Sequence, residues 1–255
     1  MVKNEAKHAQ RKGLFSYLYL MSFFTSDYLA FFKELAANNH KEWFDANRKR
    51  YESSVKEPFK AFTQHLIDEL AKKEPAFKEL KAADCIFRIN RDIRFSKDKT
   101  PYKMMCSAVI SPNGKKSSSI HGIYFEFGPA HVRAYGGVYE IEKDDLYALR
   151  EGIANNLTAF QKLYSDKKFK ALFGAIHGEK NKKLDKDFLA AAAQEALIYN
   201  KQFYFYSTFE AETLLDPNLD QLMMECYQTG RPLELFFNQF IQRSWNTFFK
   251  YCLSD

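Results

Sequence analysis

Long hydrophobic runs are missing from this chain. No stretch reaches the ~18 apolar residues that a membrane-spanning helix needs, so no membrane partner is expected. Cysteine is sparse: Cys85, Cys106, Cys226 and Cys252 are the only four. No two of them form a close pair, and none stands at metal-ligand spacing from a histidine. That excludes a disulfide framework and a structural zinc site. It fits buried reduced thiols and a cytoplasmic location. The chain carries no phosphate-binding Gly-rich loop, dinucleotide fingerprint, nucleophile elbow or zincin motif. Its six histidines are scattered. Only His121 and His131 fall near predicted strands, where one hairpin would bring them together without carboxylate or thiol partners. Neither a metal nor a cofactor is expected. Internal repeats, linkers and low-complexity tracts are absent as well.

What is present is a chain of 255 residues with 46% hydrophobic residues, 25 Phe and 15 Tyr. That is enough to bury a sizeable core and argues against disorder. The formal net charge of +6 suits an anionic ligand or a weak nucleic-acid preference. Lys3, Lys7, Arg11 and Lys12 precede an apolar stretch from Leu14 to Phe24, as in a signal peptide. The small-residue cleavage site that should follow is replaced by polar Thr25-Ser26-Asp27. Residues 1–21 are therefore expected to be an extension, and 22–255 a single domain.

The hydrophobic period divides the chain. Tyr28, Phe31, Phe32 and Leu35 make one helical stripe after a cap at Ser26 or Asp27. Trp43, Phe44, Tyr51 and Val55 make a second. Phe59, Phe62, Leu66, Ile67 and Leu70 make a third behind Glu57-Pro58. From Cys85 the period becomes two. Strands are predicted at Cys85–Ser96, Met105–Ser111, His121–Gly128 and His131–Tyr135, the last followed by Gly136-Gly137. In the third, Ile123, Phe125 and Phe127 share one face, and Tyr124 and Glu126 the other. Helical patterns return from Asp144. One late strand follows at Gln202–Ser207, then helices at Leu214–Tyr227 and Leu233–Phe249. Short connections between successive strands favour antiparallel pairing. The expected fold is α+β, a mostly antiparallel sheet packed against N-terminal and C-terminal helices.

The chemistry concentrates in Ile86–Lys103, where six cations face only Asp92 and Asp98. As a strand, this segment puts Phe87, Ile89, Ile93 and Phe95 on an apolar face. Arg88, Asp92 and Arg94 then line the other, with Arg91 out of pattern at a rim or paired inside. Two guanidiniums flanking a carboxylate form a fork suited to phosphate or carboxylate. The turn at Ser96–Pro101 would bring Lys99, Tyr102 and Lys103 beside them. Glu126 is a candidate base or a counter-ion for Arg88 or Arg94. The candidate ligand site is thus Arg88, Asp92, Arg94, Lys99, Tyr102, Lys103 and Glu126.

This stretch, Phe87-Arg88-Ile89-Asn90-Arg91-Asp92-Ile93-Arg94-Phe95-Ser96-Lys97-Asp98-Lys99-Thr100-Pro101-Tyr102-Lys103, resembles the signature of domain-of-unknown-function family 2461. Leu35 to Phe44 resembles that family's opening. Gly136-Gly137, the acidic helix start after it and Leu149-Arg150 resemble its middle. The resemblance spans roughly Ser22 to Ile241 and brings no activity with it. It departs at Gly178 to Asp187, which lacks the Pro-Lys-Gly segment and the His-Pro pair that family members tend to carry. Three functions compete: a binding protein or enzyme for a small phosphorylated or carboxylated ligand, a nucleic-acid module that stacks bases on Phe87, Phe95 and Tyr102, and a structural or adaptor protein whose charged strand is an internal ion-pair network. Phe87 and Phe95 on a core-facing side weigh against the second.

Overall fold

A computed structural model describes residues 22–112, 114–116 and 122–241. The predicted N-terminal extension, His121, the Trp245 end of the last helix and Cys252 lie outside them. The first helices are α1 (Ser26–Ala37), α2 (Lys41–Ala46) and α3 (Arg48–Tyr51). The chain then runs through a wide π turn at Glu52–Lys56 straight into α4 (Glu57–Ala71). The break expected at Glu57-Pro58 is therefore a change of helical register. Pro58 has no N–H to give, and its ring crowds the carbonyls one turn back. The short helix α5 (Ala82–Cys85) leads to the signature segment.

Four strands follow in two groups. β1 (Cys106–Ile110), β2 (Ile123–Phe127) and β3 (Val132–Val138) form a meander. β4 (Phe203–Phe209) joins β3 after a long helical excursion. That excursion holds α6 (Lys143–Asn155), α7 (Leu157–Ser165), α8 (Lys167–Phe173) and α9 (Leu189–Ala192). The sheet order is β1-β2-β3-β4, antiparallel throughout. The fold is α+β, as the sequence pattern predicts. β3 continues through both glycines rather than ending before them.

The last described helix, α10 (Leu219–Asn238), is a single rod with Pro232 inside it. The sequence predicts two helices there. Leu219, Met223, Tyr227, Gly230, Leu233 and Phe237 stay on one buried stripe across the proline. Burial of that stripe, worth ~1.5–3 kcal/mol per large apolar side chain, outweighs the single backbone bond that Pro232 cannot make.

Among the described residues, α4, α8 and α10 pack their rings on one face of the sheet. α4 supplies Phe59 and Phe62, whose rings lie 5.6 Å from Phe125 and 5.4 Å from Phe127 respectively. At the other end, α8 places Phe173 4.7 Å from Phe205, and α10 places Phe237 5.8 Å from Phe203. Gly136 and Gly230 both lie under the Phe205 ring, where an added Cβ would sit 2.6 Å from it. The opposite face of the sheet is the polar one.

Candidate functional site

The signature segment forms no regular strand. Its first half pairs with the chain that returns into β1. Ile86 bridges Ala108, the Phe87 N–H donates to Ser107 O at 2.9 Å, and the Lys103 N–H donates to Ile89 O at 2.9 Å. Beyond these, Asn90 bridges Tyr102 and the Arg91 N–H reaches Pro101 O. Between the Phe87 and Ile89 pairings only Arg88 lies on the outgoing arm, against Met104, Met105 and Cys106 on the returning one. The returning arm therefore bulges. Past Arg91 the ladder stops. Asp92 takes the Arg94 N–H at 3.3 Å, and Asp98 takes the Thr100 N–H at 2.9 Å. These local side-chain bonds compete with strand pairing and fold residues 92–100 into a tip.

The tip sets part of the predicted site apart from the rest. Arg94 and Asp92 pair with each other (Nη2 to Oδ2 2.7 Å, Nε to Oδ1 2.9 Å), and Arg94 holds the Asp92 carboxyl well below its usual range. Lys99 donates to Ile93 O at 2.9 Å. Arg91, the pattern breaker, turns inward to Asp98 and Thr100. Phe95, expected in the core, is 95% exposed. Tyr102, expected beside the cations, stacks on Phe44 with ring centroids 4.0 Å apart and planes at 15°.

Glu126 does not neutralise Arg88 or Arg94. It lies buried on the polar face of the sheet, where register sets Ser107, Glu126, Arg133 and Thr208 in one row across β1 to β4. The next row is Val109, Tyr124, Tyr135 and Tyr206. Four donors converge on the Glu126 carboxylate: Tyr124 Oη at 3.0 Å, His131 Nε2 at 2.9 Å, Tyr135 Oη at 3.3 Å and Arg133 Nη1 at 3.4 Å. Arg133 also donates to Thr208 Oγ1 at 2.9 Å, and its guanidinium stands 5.5 Å from the Tyr206 ring. Ser107 Oγ, in the same row, is buried with no hydrogen-bond partner among the described residues.

Phe87 extends the row beyond Ser107, and cations gather around it. Lys103 Nζ lies 5.7 Å and Lys115 Nζ 5.9 Å from the Phe87 ring centroid. Lys115 is anchored on the carbonyls of Ala83 and Ile86, at 3.0 and 2.5 Å. Lys103 is only 9% exposed; its ammonium keeps a narrow contact with solvent and meets neither a carboxylate nor a hydrogen-bond acceptor among the described residues. Burial, and then the nearby charge of Arg88, push it down to about 8. Arg88 is exposed and makes no ion pair among the described residues. Of the seven predicted site residues, Arg88, Lys103 and Glu126 thus come to this corner and face of the sheet. Asp92, Arg94 and Lys99 belong to the tip, and Tyr102 to the core.

The other segments that carry the family resemblance converge on the same framework. Asn39 clamps the Tyr102 backbone from both sides, accepting from its N–H at 3.1 Å and donating to its carbonyl at 2.9 Å. Arg150 is buried and ties α6 to the approach to β4, donating to Ile198 O at 2.9 Å and Asn200 O at 3.0 Å. The family of conserved hypothetical proteins called domain-of-unknown-function family 2461 has a model that matches residues 27–236. The chain belongs to that family. No curated protein matches the chain. In this member of family 2461 the signature does two jobs. Its first arm and its return build the sheet edge and the Lys103 corner, while its middle forms the exposed tip.

The sequence reading missed Arg133, Tyr135, Tyr206, Ser107 and Lys115. Strand alternation carries the signal for the first three. Arg133 and Tyr135 alternate with Val132 and Ala134, as Tyr204 and Tyr206 alternate with Phe203 and Phe205. Only the pairing order β2-β3-β4 shows that these residues share the Glu126 face. Among the described residues no group of His, Cys, Asp and Glu has the arrangement of a metal site.

Proposed function

We propose that this chain binds a small phosphorylated or carboxylated ligand at the corner formed by Lys103, Arg88 and Lys115 around Phe87. The observation that carries the reading is Lys103. An ammonium largely withdrawn from water and without a carboxylate partner is costly, and a neighbouring guanidinium of like charge adds to the cost. An anion at this corner would offset both and gain charge-assisted hydrogen bonds. The adjoining rows of tyrosines and Arg133 offer hydrogen bonds and ring faces to the rest of such a ligand. Nucleic acid is the poorer fit, because Tyr102 is stacked in the core and Phe87 is tucked beneath the lysines. Of the three aromatic residues in the signature, that leaves Phe95 for bases.

The test is thermal unfolding in phosphate, and in phosphorylated or carboxylated metabolites, against chloride at equal ionic strength. A ligand at a hundredfold excess over its Kd adds about 2.7 kcal/mol, or roughly 5–10 °C for a chain of this size. Lys103→Met keeps the apolar stem and removes the charge. It is expected to abolish the anion effect without lowering the basal Tm, and Arg88→Ala to weaken the effect. A parent protein indifferent to every anion tested would defeat the proposal. So would an anion response that survives Lys103→Met intact.

A further inference from the structure

We propose that the tip at residues 92–100 docks on the surface of an anionic phospholipid bilayer, with the Phe95 ring entering the headgroup region. The inference is independent of the ligand corner, and such surface contact needs no membrane-spanning helix. Phe95 is 95% exposed, far more than Tyr147, Leu189 or Leu235, the other large apolar residues on the described surface. It stands at the end of an arm held by the Arg91 to Pro101 pairing.

Two features of the arm suit an interface. The first is charge: Arg91, Arg94, Lys97 and Lys99 outnumber Asp92 and Asp98. Both carboxylates are already held by arginines, Asp92 by Arg94 and Asp98 by Arg91. Lys97 makes no ion pair among the described residues. Basic residues near an anionic leaflet gain about 1 kcal/mol each, roughly fivefold in partition. The second is internal bonding. Ile93 O is taken by Lys99, and the N–H groups of Arg94 and Thr100 by Asp92 and Asp98. Each backbone group satisfied in this way lowers the cost of entering a region poor in water, and aromatic rings favour the headgroup level. A protein partner fits less well. A stable interface buries about 800 Å² on each side, and this tip offers one ring ringed by cations.

The experiment is co-sedimentation of the full chain with vesicles of phosphatidylcholine plus phosphatidylserine, and with phosphatidylcholine alone, at low ionic strength. Binding is expected only to the mixed vesicles and should fall as salt is raised. Phe95→Ala should lower the partition at least about tenfold, the lower end of the 1.5–3 kcal/mol worth of a buried Phe. Phe95→Trp should retain it, and Lys97→Ala should lower it about fivefold. Because Phe95 packs against no core residue, circular dichroism of the variants should match the parent. No binding to mixed vesicles overturns the proposal. Binding that Phe95→Ala leaves unchanged overturns it too, by assigning the contact to another segment. So does Phe95-dependent retention of a single-stranded oligonucleotide with no retention by vesicles.

Discussion

Replacing Glu234 by Gln should change how the stability of this protein depends on pH. Glu234 is on α10, 2% exposed, and its two carboxyl oxygens take the N–H of Gly137 at 3.1 Å and of Gly122 at 3.3 Å. The cavity beside it is about 10 Å³, room for one water at most. Burial raises the carboxyl from 4.5 to about 8, against the pull of the two N–H groups and of Arg231. A raised value in the folded state means that the native protein keeps a proton that the unfolded chain releases. The contribution is complete below the unfolded value of 4.5 and drains away as pH rises to about 8. At about 1.4 kcal/mol per unit, the loss across that window is roughly 4–5 kcal/mol. Glutamine is neutral at every pH and shows no such loss. Its amide nitrogen cannot accept the second N–H, so the variant starts roughly 1–3 kcal/mol lower in acid. The two curves of Tm against pH should therefore cross within the window, with the variant equal or superior at its alkaline end. Thermal scans at closely spaced pH values read this directly. Parallel curves for parent and variant would refute the reasoning.

Glu126→Ala strips the shared acceptor from Tyr124, His131, Tyr135 and the half-buried Arg133. It should cost ~1–3 kcal/mol in denaturant unfolding; a loss below about 0.5 kcal/mol would show that the row repacks freely. Gly137 sits at φ +86 with an added Cβ 2.3 Å from Phe203 O. Gly137→Ala should therefore cost at least the ~1–3 kcal/mol of a non-glycine residue in that region, read as a lowered Tm, whereas Gly174→Ala, with open space around its Cβ, should cost only the φ strain.

Much of this fold is legible in the residue pattern. The alternation in β2 assigns Phe125 and Phe127 to the core and Tyr124 and Glu126 to the other face, as observed. The stripes of α1 and α4 are equally plain. The failures share a cause: local side-chain bonding or long-range pairing overrules the local period. Ile93 and Phe95 alternate like core residues, but Asp92 and Asp98 bond the backbone around them and bend it into a tip. Pro232 reads as a stop, yet the stripe on either side keeps its phase. The cation excess was visible. What decided which cations lie on the sheet was the bulge at Met104–Met105, which turns Lys103 towards Phe87, and a bulge leaves no mark in hydrophobic periodicity.

The route of the chain between β3 and β4 bears on how the protein is made. β3 ends at Val138 and its partner begins only at Phe203. During synthesis β1, β2 and β3 emerge as a local meander, while the outer edge of β3 waits for everything from Tyr139 to Gln202. That edge is an unpaired template for other chains until β4 arrives. Sheet closure at such sequence separation is slow. A ribosome stalled within the helical excursion would hold a chain with three strands, an open edge and only half of its tyrosine-lined face. Nascent chains of this protein should therefore lean on chaperones most heavily between the emergence of Val138 and that of Phe209.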